Sequence, residues 1–352
     1  MDLEQTITAE AAAAEAKAEE AVAEPGADRR WWHRVLEWAT WMARSVWIRT
    51  GVTLALLAIV GSQLDWSQIS ERLREGNPLD FVFAVGLVVL ALGAGAWRWD
   101  ALLRRAGVPV SANRLVRIYA VSTFSSSFLP TTAGGDVTRA LLVSRRAADL
   151  RRVAVSIVVD RAGGLAGMIS IAWLALVIAP GHVPGEASAV LIWMSLVIVV
   201  GAGVIVVALM RGSSWLRRRL PEQVLTMARD SREVLRDYGR SPGLLAMWFL
   251  LSVAYQALIA YQLVVLGHAI DVQLSFATAA IALTVVTLLT LIPISIGGFG
   301  VREGSYVLIL GGVSIAASDA TLISVLSVAT LLIASLPGAY LIARGNVGAV
   351  PQ

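Results

Sequence analysis

Apolar residues fall in long uncharged runs at about 50–63, 81–97, 162–180 (extendable backward to 153), 187–210, 243–267, 272–292 and 320–343. The hydrocarbon core of a bilayer, about 30 Å thick, is crossed by roughly twenty apolar residues in a helix. The pattern therefore predicts an all-α, polytopic membrane protein of about 7–8 hydrophobic helices. Ahead of these runs, residues 1–28 are rich in Ala and Glu, hold almost no large apolar residue, and end near Pro25 and Gly26. They are expected to form a disordered cytosolic tail. In residues 29–45, Trp31, Val35, Trp38 and Met42 recur at helical spacing while Arg30, Arg34, Glu37 and Arg44 mostly fall elsewhere. This predicts an interfacial amphipathic helix that leads into a transmembrane domain at 46–345.

Arginine sorts the connections. Segments 98–117, 139–152 and 211–240 carry five, five and eight arginines, whereas 64–80 carries two and 181–186 and 268–271 carry none. Positive charge is retained on the cytoplasmic side, so the first three are expected there. Residues 118–138 lie between two basic segments of the same face and so should enter the membrane and leave without crossing. Their composition agrees: Ser122, Thr123, Ser125, Ser126, Ser127, Thr131 and Thr132 crowd a stretch broken by Pro130, Gly134 and Gly135. Irregular backbone at membrane depth survives only where it lines a polar cavity or is buried in protein. A re-entrant segment is expected. Residues 304–318 are too short for a comfortable span, which leaves the C-terminus outside if they turn back and inside if they cross.

Composition narrows the function classes. The chain of 352 residues is 57% hydrophobic and 15% charged, with a mean hydropathy of +0.71. The net charge of +4 comes from arginines spread through short connections, which argues for membrane orientation and against nucleic-acid binding. The absence of cysteine excludes disulfides, thiolate metal sites and a cysteine nucleophile. There is no Walker motif, no close acidic cluster to hold magnesium, and no cleavage site of a secretory signal peptide. Neither a metal nor another cofactor is expected. Ala, Arg, Gly and Val usage points to a GC-rich prokaryotic source, and hence to a multi-pass protein of its cytoplasmic membrane.

Two distant stretches share a pattern: Pro130-Thr-Thr-Ala-Gly134-Gly135-Asp136-Val-Thr-Arg139 and Pro293-Ile-Ser-Ile-Gly297-Gly298-Phe-Gly-Val-Arg302. Each reads proline, three residues, Gly-Gly, three residues, arginine, with an acid close by (Asp136, Glu303). Proline stops a helix, the glycine pair permits a turn, and the arginine opens the next apolar segment. The match implies two structurally related halves. Broken helices in paired positions are a pointer to binding sites in transporters built from internal repeats, and the helix N-termini at such breaks suit an anion. Tight cytoplasmic turns with interfacial arginines are the competing reading. Asp160 and Arg161 lie about 10 Å into the run that starts at Val153, if it is helical. Ionisable groups at depth face cavities or pair with one another, so a structural ion pair between helices competes with a ligand site there.

The LPTTAGGDVTR block from Leu129, the VVDRAGGL block from Val158 and the PISIGGFGVREG block from Pro293, in this order, resemble the flippase-like transmembrane domain of lysylphosphatidylglycerol synthases and their free-standing relatives. The resemblance spans approximately residues 45–345, and its C-terminal block is the most specific. It implies a domain that moves, or helps to move, an anionic or lipid-linked substrate between leaflets. Two departures bear on this. The synthases continue into a large aminoacylating domain, whereas this sequence ends at Gln352, so a free-standing member is expected and the lysyl substrate does not carry over. Where the family often has Gly-Glu, this chain has Gly135-Asp136.

The leading expectation is thus transbilayer translocation of an anionic phospholipid or polyprenyl-phosphate substrate. Arg139, Arg161 and Arg302 are the candidate phosphate ligands, and Gly134, Gly135, Gly297 and Gly298 the turns beneath them. Asp136, Asp160 and Glu303 are the supporting acids, one of them a candidate for proton exchange. The alternatives are a membrane enzyme acting on a lipid phosphate or lipid-linked sugar, for which the membrane-depth motifs lack a histidine base, and a non-transporting partner of cell-envelope biosynthesis docking through residues 211–240. No catalytic residue is assigned.

Overall fold

The computed structural model describes residues 66–128, 134–144, 147–179, 185–211, 232–291, 295 and 298–344. The tail at 1–28, the interfacial helix at 29–45, the first apolar run and most of the basic segment at 211–240 lie outside them. Among the described residues every regular element is a helix: α1 (Trp66–Glu75), α2 (Pro78–Arg105), α3 (Ala112–Phe128), α4 (Gly134–Val143), α5 (Ala147–Ile178), α6 (Gly185–Arg211), α7 (Pro242–Ala269), α8 (Phe276–Thr290), α9 (Val301–Gly311) and α10 (Ala317–Ala343). Residues 232–239 are helical as well. Among the described residues, four helices, α2, α5, α7 and α10, are long and apolar enough to cross a membrane.

Local chemistry explains where α2 starts and stops. The Asn77 side chain accepts from the Leu79 amide at 3.0 Å, Pro78 occupies the first turn where its missing N–H costs nothing, and Asp80 precedes Arg104 and Arg105 in the sense that the helix dipole favours. The helix runs through Arg98, a correction to the expectation that 98–117 is a connection: Leu102 and Leu103 continue its buried face, so Arg98 belongs to the apolar helix.

Two sets of contacts define the ends of the bundle. At one end the Arg105 Nε donates to the Asp237 carbonyl at 3.3 Å, the Tyr238 hydroxyl donates to the Leu102 carbonyl at 2.9 Å, and Arg114 donates to the Leu142 carbonyl at 2.8 Å. The end of α2, both termini of the α3–α4 pair and the start of α7 therefore share this basic end. Burial pushes the Tyr238 phenol above its usual range, which keeps it neutral and donating. At the opposite end the Asn77 amide donates to the Ala269 carbonyl at 3.1 Å, His268 meets Asp80 at 2.8 Å, and Arg72 lies 3.7 Å from Asp319. The start of α2, the end of α7 and the start of α10 are here.

Between these ends, α2–α5 and α7–α10 repeat one plan: a crossing helix, a two-armed hairpin, a crossing helix. The hairpin α3–α4 opens toward the basic end. The hairpin α8–α9 opens toward the other, because residues 270–275 and 312–316 are its only links to helices that end and begin there. The two halves are therefore inverted with respect to one another, and α10 runs back to the basic end, so residue 343 lies on the side of Arg104 and Arg105. Of the two alternatives for residues 304–318, this is the one that brings the C-terminal helix to the basic side. The halves interlock rather than abut. The largest buried apolar cluster draws Ile171 and Ala175 of α5, Leu191 of α6, Leu263 of α7, Ile281 of α8, Leu310 of α9 and Ile323 of α10 into one core.

Candidate functional site

Residues 129–133, with Pro130, lie outside the described residues, and the second arm of the first hairpin begins at Gly134. Gly135 is there because the arms touch: a Cβ on it would stand 2.5 Å from the Ser122 carbonyl oxygen and 2.8 Å from the Ser126 Cβ. That close approach sets Asp136 and Arg139, one turn apart on α4, against α5. Arg139 is 4% exposed and Asp160 of α5 3%.

Asp160 is held by two guanidiniums, accepting from Arg98 Nε at 2.7 Å and from Arg139 Nη1 at 3.0 Å. Asp136 accepts from Arg139 Nη2 at 2.9 Å and, in a two-pronged contact, from Arg161 Nε at 2.8 Å and Nη2 at 3.0 Å. Arg98 further donates to the Ser252 hydroxyl of α7 at 3.0 Å. The Arg139 guanidinium lies 4.8 Å from the Trp99 ring centroid, and Trp99 is fixed by its Nε1 donating to Ser156 at 3.1 Å. Three cations and two anions leave the cluster one positive charge. Two guanidiniums on one buried carboxylate stabilise it only while all three are present, since losing one partner of a buried pair leaves a charge that costs about 3–5 kcal/mol. Arg161 differs from its neighbours: its side chain is 56% exposed, on the outer surface near exposed Val137 and Val158.

The second hairpin turns around Gly298 and Gly300, whose φ angles of 76° and 80° lie in the left-handed region that only glycine enters at no steric cost. Gly298 also packs on Thr290. Pro293 and Gly297 lie outside the described residues. Glu303, 4% exposed, folds back so that its carboxylate accepts the Gly300 amide at 2.5 Å, a helix-capping contact that meets an otherwise unpaired donor at the start of α9. Its other oxygen faces Arg302 Nε at 3.3 Å and the Ser324 hydroxyl of α10 at 3.5 Å. The Arg302 guanidinium lies 4.9 Å from the Phe299 ring centroid. Two buried polar atoms on this tip have no partner among the described residues, Arg302 Nη2 and Ser295 Oγ. An unmade hydrogen bond of this kind costs about 1–3 kcal/mol.

The structure thus brings Arg139, Arg161, Asp136 and Asp160 together and keeps Arg302 with Glu303 on the other hairpin. Arg98 and Ser295 are the site residues that the sequence did not single out. Arg98 is visible in retrospect as one charge followed by further apolar residues at helical spacing. Ser295 carries no local signal. Among the described residues no three histidine or acidic side chains gather as a metal site.

Inverted helical halves, each with a hairpin that carries an arginine beside an acid, define a polytopic membrane protein with ionisable groups packed among apolar helices. Residues 46–338 match the family model described as the lysylphosphatidylglycerol synthase TM region, and the chain belongs to that family. This places it among membrane proteins related to lipid modification or translocation. No curated protein matches the chain.

Proposed function

We propose that the protein translocates an anionic, phosphate-bearing lipid between leaflets of a prokaryotic cytoplasmic membrane. The observation that carries the reading is the inverted pair of hairpins, α3–α4 and α8–α9, each entering from its own end and each ending in an arginine–acid pair. Such pairs are re-entrant elements, and inverted repeats with broken helices favour alternating access, because rocking one half against the other opens a central site to either side. Family membership supports a lipid as substrate.

In this reading Arg161 and Arg302 make the first contacts with a phosphate. Arg161 is exposed on the outer surface, where a lipid head group could displace Asp136. Arg302 retains a donor without a partner. Arg139 joins only when Asp136 or Asp160 releases it, so its ion pairs hold the first hairpin closed. Gly134 and Gly135 begin helix α4 and so are not the turn that their sequence suggests; Gly135 lets the arms of the first hairpin touch, Gly298 turns the second, and acyl or prenyl chains remain in the bilayer.

The test is a leaflet-accessibility assay in proteoliposomes with fluorescent phosphatidylglycerol, aminoacylated phosphatidylglycerol and a polyprenyl phosphate. Accelerated exchange of one of these lipids, lost in both Arg139→Ala and Arg302→Ala, is expected. Exchange that persists in Arg302→Ala while the variant remains folded would remove the site from the mechanism.

A further inference from the structure

Three acids stand beside arginines, and their surroundings differ in what each could give up. Asp160 is buried and holds Arg98 and Arg139 together inside the bundle. Glu303 is buried and caps the Gly300 amide. Of the three, Asp136 reaches outward: its side chain is 20% exposed, and that of its two-pronged partner Arg161 is 56% exposed. A carboxylate so placed can yield one partner to an incoming group while the buried pairs behind it stay intact. Charge reaches Asp136 from its own helix and from α5. On α4, Arg139 Nη2 lies 2.9 Å away, and α5 supplies Arg161 at 2.8 and 3.0 Å. Asp160 of α5 stands behind Arg139, with Arg98 of α2 beyond it. Within α3 no charged residue follows Arg117. That helix presents the Tyr119 ring, 6.0 Å from the Arg139 guanidinium, and Ser122 and Ser126, packed on Gly135. The Tyr255 ring of α7 lies 5.9 Å from the Arg98 guanidinium.

We infer that Asp136 takes up a proton when an anion binds at Arg161, so that anion binding at the first hairpin is proton-coupled. The inference rests on the proposal that an anionic head group displaces Asp136 from Arg161. Once both prongs of Arg161 turn to a phosphate, Asp136 keeps one partner, Arg139, which it shares with Asp160, and gains a negative neighbour. Two anions at one site favour protonation of one of them. A phosphodiester is a far stronger acid than a carboxylic acid, so the proton settles on Asp136. The charge count agrees. Three guanidiniums and two carboxylates sum to one positive charge, a bound phosphodiester brings the sum to zero, and the proton restores it. Coupling of this kind is reciprocal. A proton placed first on Asp136 frees both prongs of Arg161 and one contact of Arg139, which readies two guanidiniums for the anion. No covalent bond other than O–H changes: the proton comes from water and returns to it when the anion leaves. Asp160 is unsuited to this role, because its neutralisation would leave Arg98 and Arg139 uncompensated in the interior.

The test is calorimetric titration of the purified full-length protein in detergent with dihexanoyl phosphatidylglycerol, in two buffers of different ionisation enthalpy and over a series of pH values. Uptake of about one proton per lipid bound is expected, with affinity that falls as pH rises, by at most about tenfold per pH unit. Asp136→Asn, neutral at every pH, should bind without proton uptake and with an affinity that no longer depends on pH. Asp136→Glu and Glu303→Gln should keep the uptake. A merely structural role for Asp136 would change the affinity of Asp136→Asn and leave its pH dependence as in the wild type. Binding to the wild type without proton uptake overturns the inference and requires no variant to fold. Uptake that persists in Asp136→Asn or vanishes in Glu303→Gln overturns it as well, as does the absence of binding at every pH. Lipid exchange in proteoliposomes that is indifferent to pH and to Asp136→Asn would sink this inference and leave translocation standing. Proton-coupled binding in a protein that exchanges no lipid would do the reverse.

Discussion

The two halves share a plan and differ in where they keep negative charge. In the first, the buried acid Asp160 sits on the crossing helix α5 and draws Arg98 of α2 and Arg139 of the hairpin onto itself. In the second, the buried acid Glu303 sits on the hairpin, beside Arg302, and is turned to its own backbone at Gly300. The crossing helix α10 offers only the Ser324 hydroxyl. Charge in the first half ties helices to one another, while in the second it stays within one hairpin tip; each hairpin keeps one buried guanidinium nitrogen without a partner among the described residues, Arg139 Nε and Arg302 Nη2. One half is built as a clasp between helices and the other as a self-contained tip.

The comparison breaks most readily at Asp160. Asp160→Asn strands two buried guanidiniums and is expected to cost about 3–5 kcal/mol, read as a large fall in the melting temperature of the detergent-solubilised protein. Comparable stability of Asp160→Asn and wild type would show that the clasp does not hold the first half together. Next in size are the tips. Gly135→Ala should destabilise by about 1–3 kcal/mol through overpacking against Ser122, and Gly298→Ala by about 1–2 kcal/mol through its left-handed backbone. Thermal unfolding separates the two causes, since Gly298→Asn should recover part of the loss and Gly135→Asn none. Glu303→Gln keeps an oxygen for the Gly300 amide but turns the other into an NH2 group facing Arg302 Nε and the Ser324 hydroxyl, so a loss of about 1–2 kcal/mol is expected. A loss as large as that of Asp160→Asn would erase the distinction between the halves. Smallest in stability is Arg161→Ala, an exposed pair worth less than about 1 kcal/mol, which should nevertheless reduce lipid exchange in proteoliposomes.

Much of this was legible in the chain. Long uncharged runs announced the helices, the arginine-rich segments 98–117 and 139–152 required residues 118–138 to return to their own side, and the proline–diglycine–arginine pattern paired the hairpins. The inversion was not legible, because residues 304–318 fit either a turn or a crossing and only the approach of Asp319 to Arg72 and of Asn77 to Ala269 decides between them. Arg98 is hidden because a run of uncharged residues ends at the first charge, although the helix continues to Arg105. Its partners lie far along the sequence, which no local pattern encodes. Ser295 was missed because its significance is a hydrogen bond that is not made.

The separation of Arg98 from its partners gives biosynthesis a schedule. Asp160 follows Arg98 by 62 residues and Ser252 by 154, and at a translation rate of roughly 5–20 residues per second the first interval alone lasts about 3–12 s. An unpaired arginine near a helix centre resists entry into lipid by about 2.5–3.5 kcal/mol. Until α5 emerges Arg98 has neither of these partners, so the basic end of α2 gains its full stabilisation only when the later helices pack beside it.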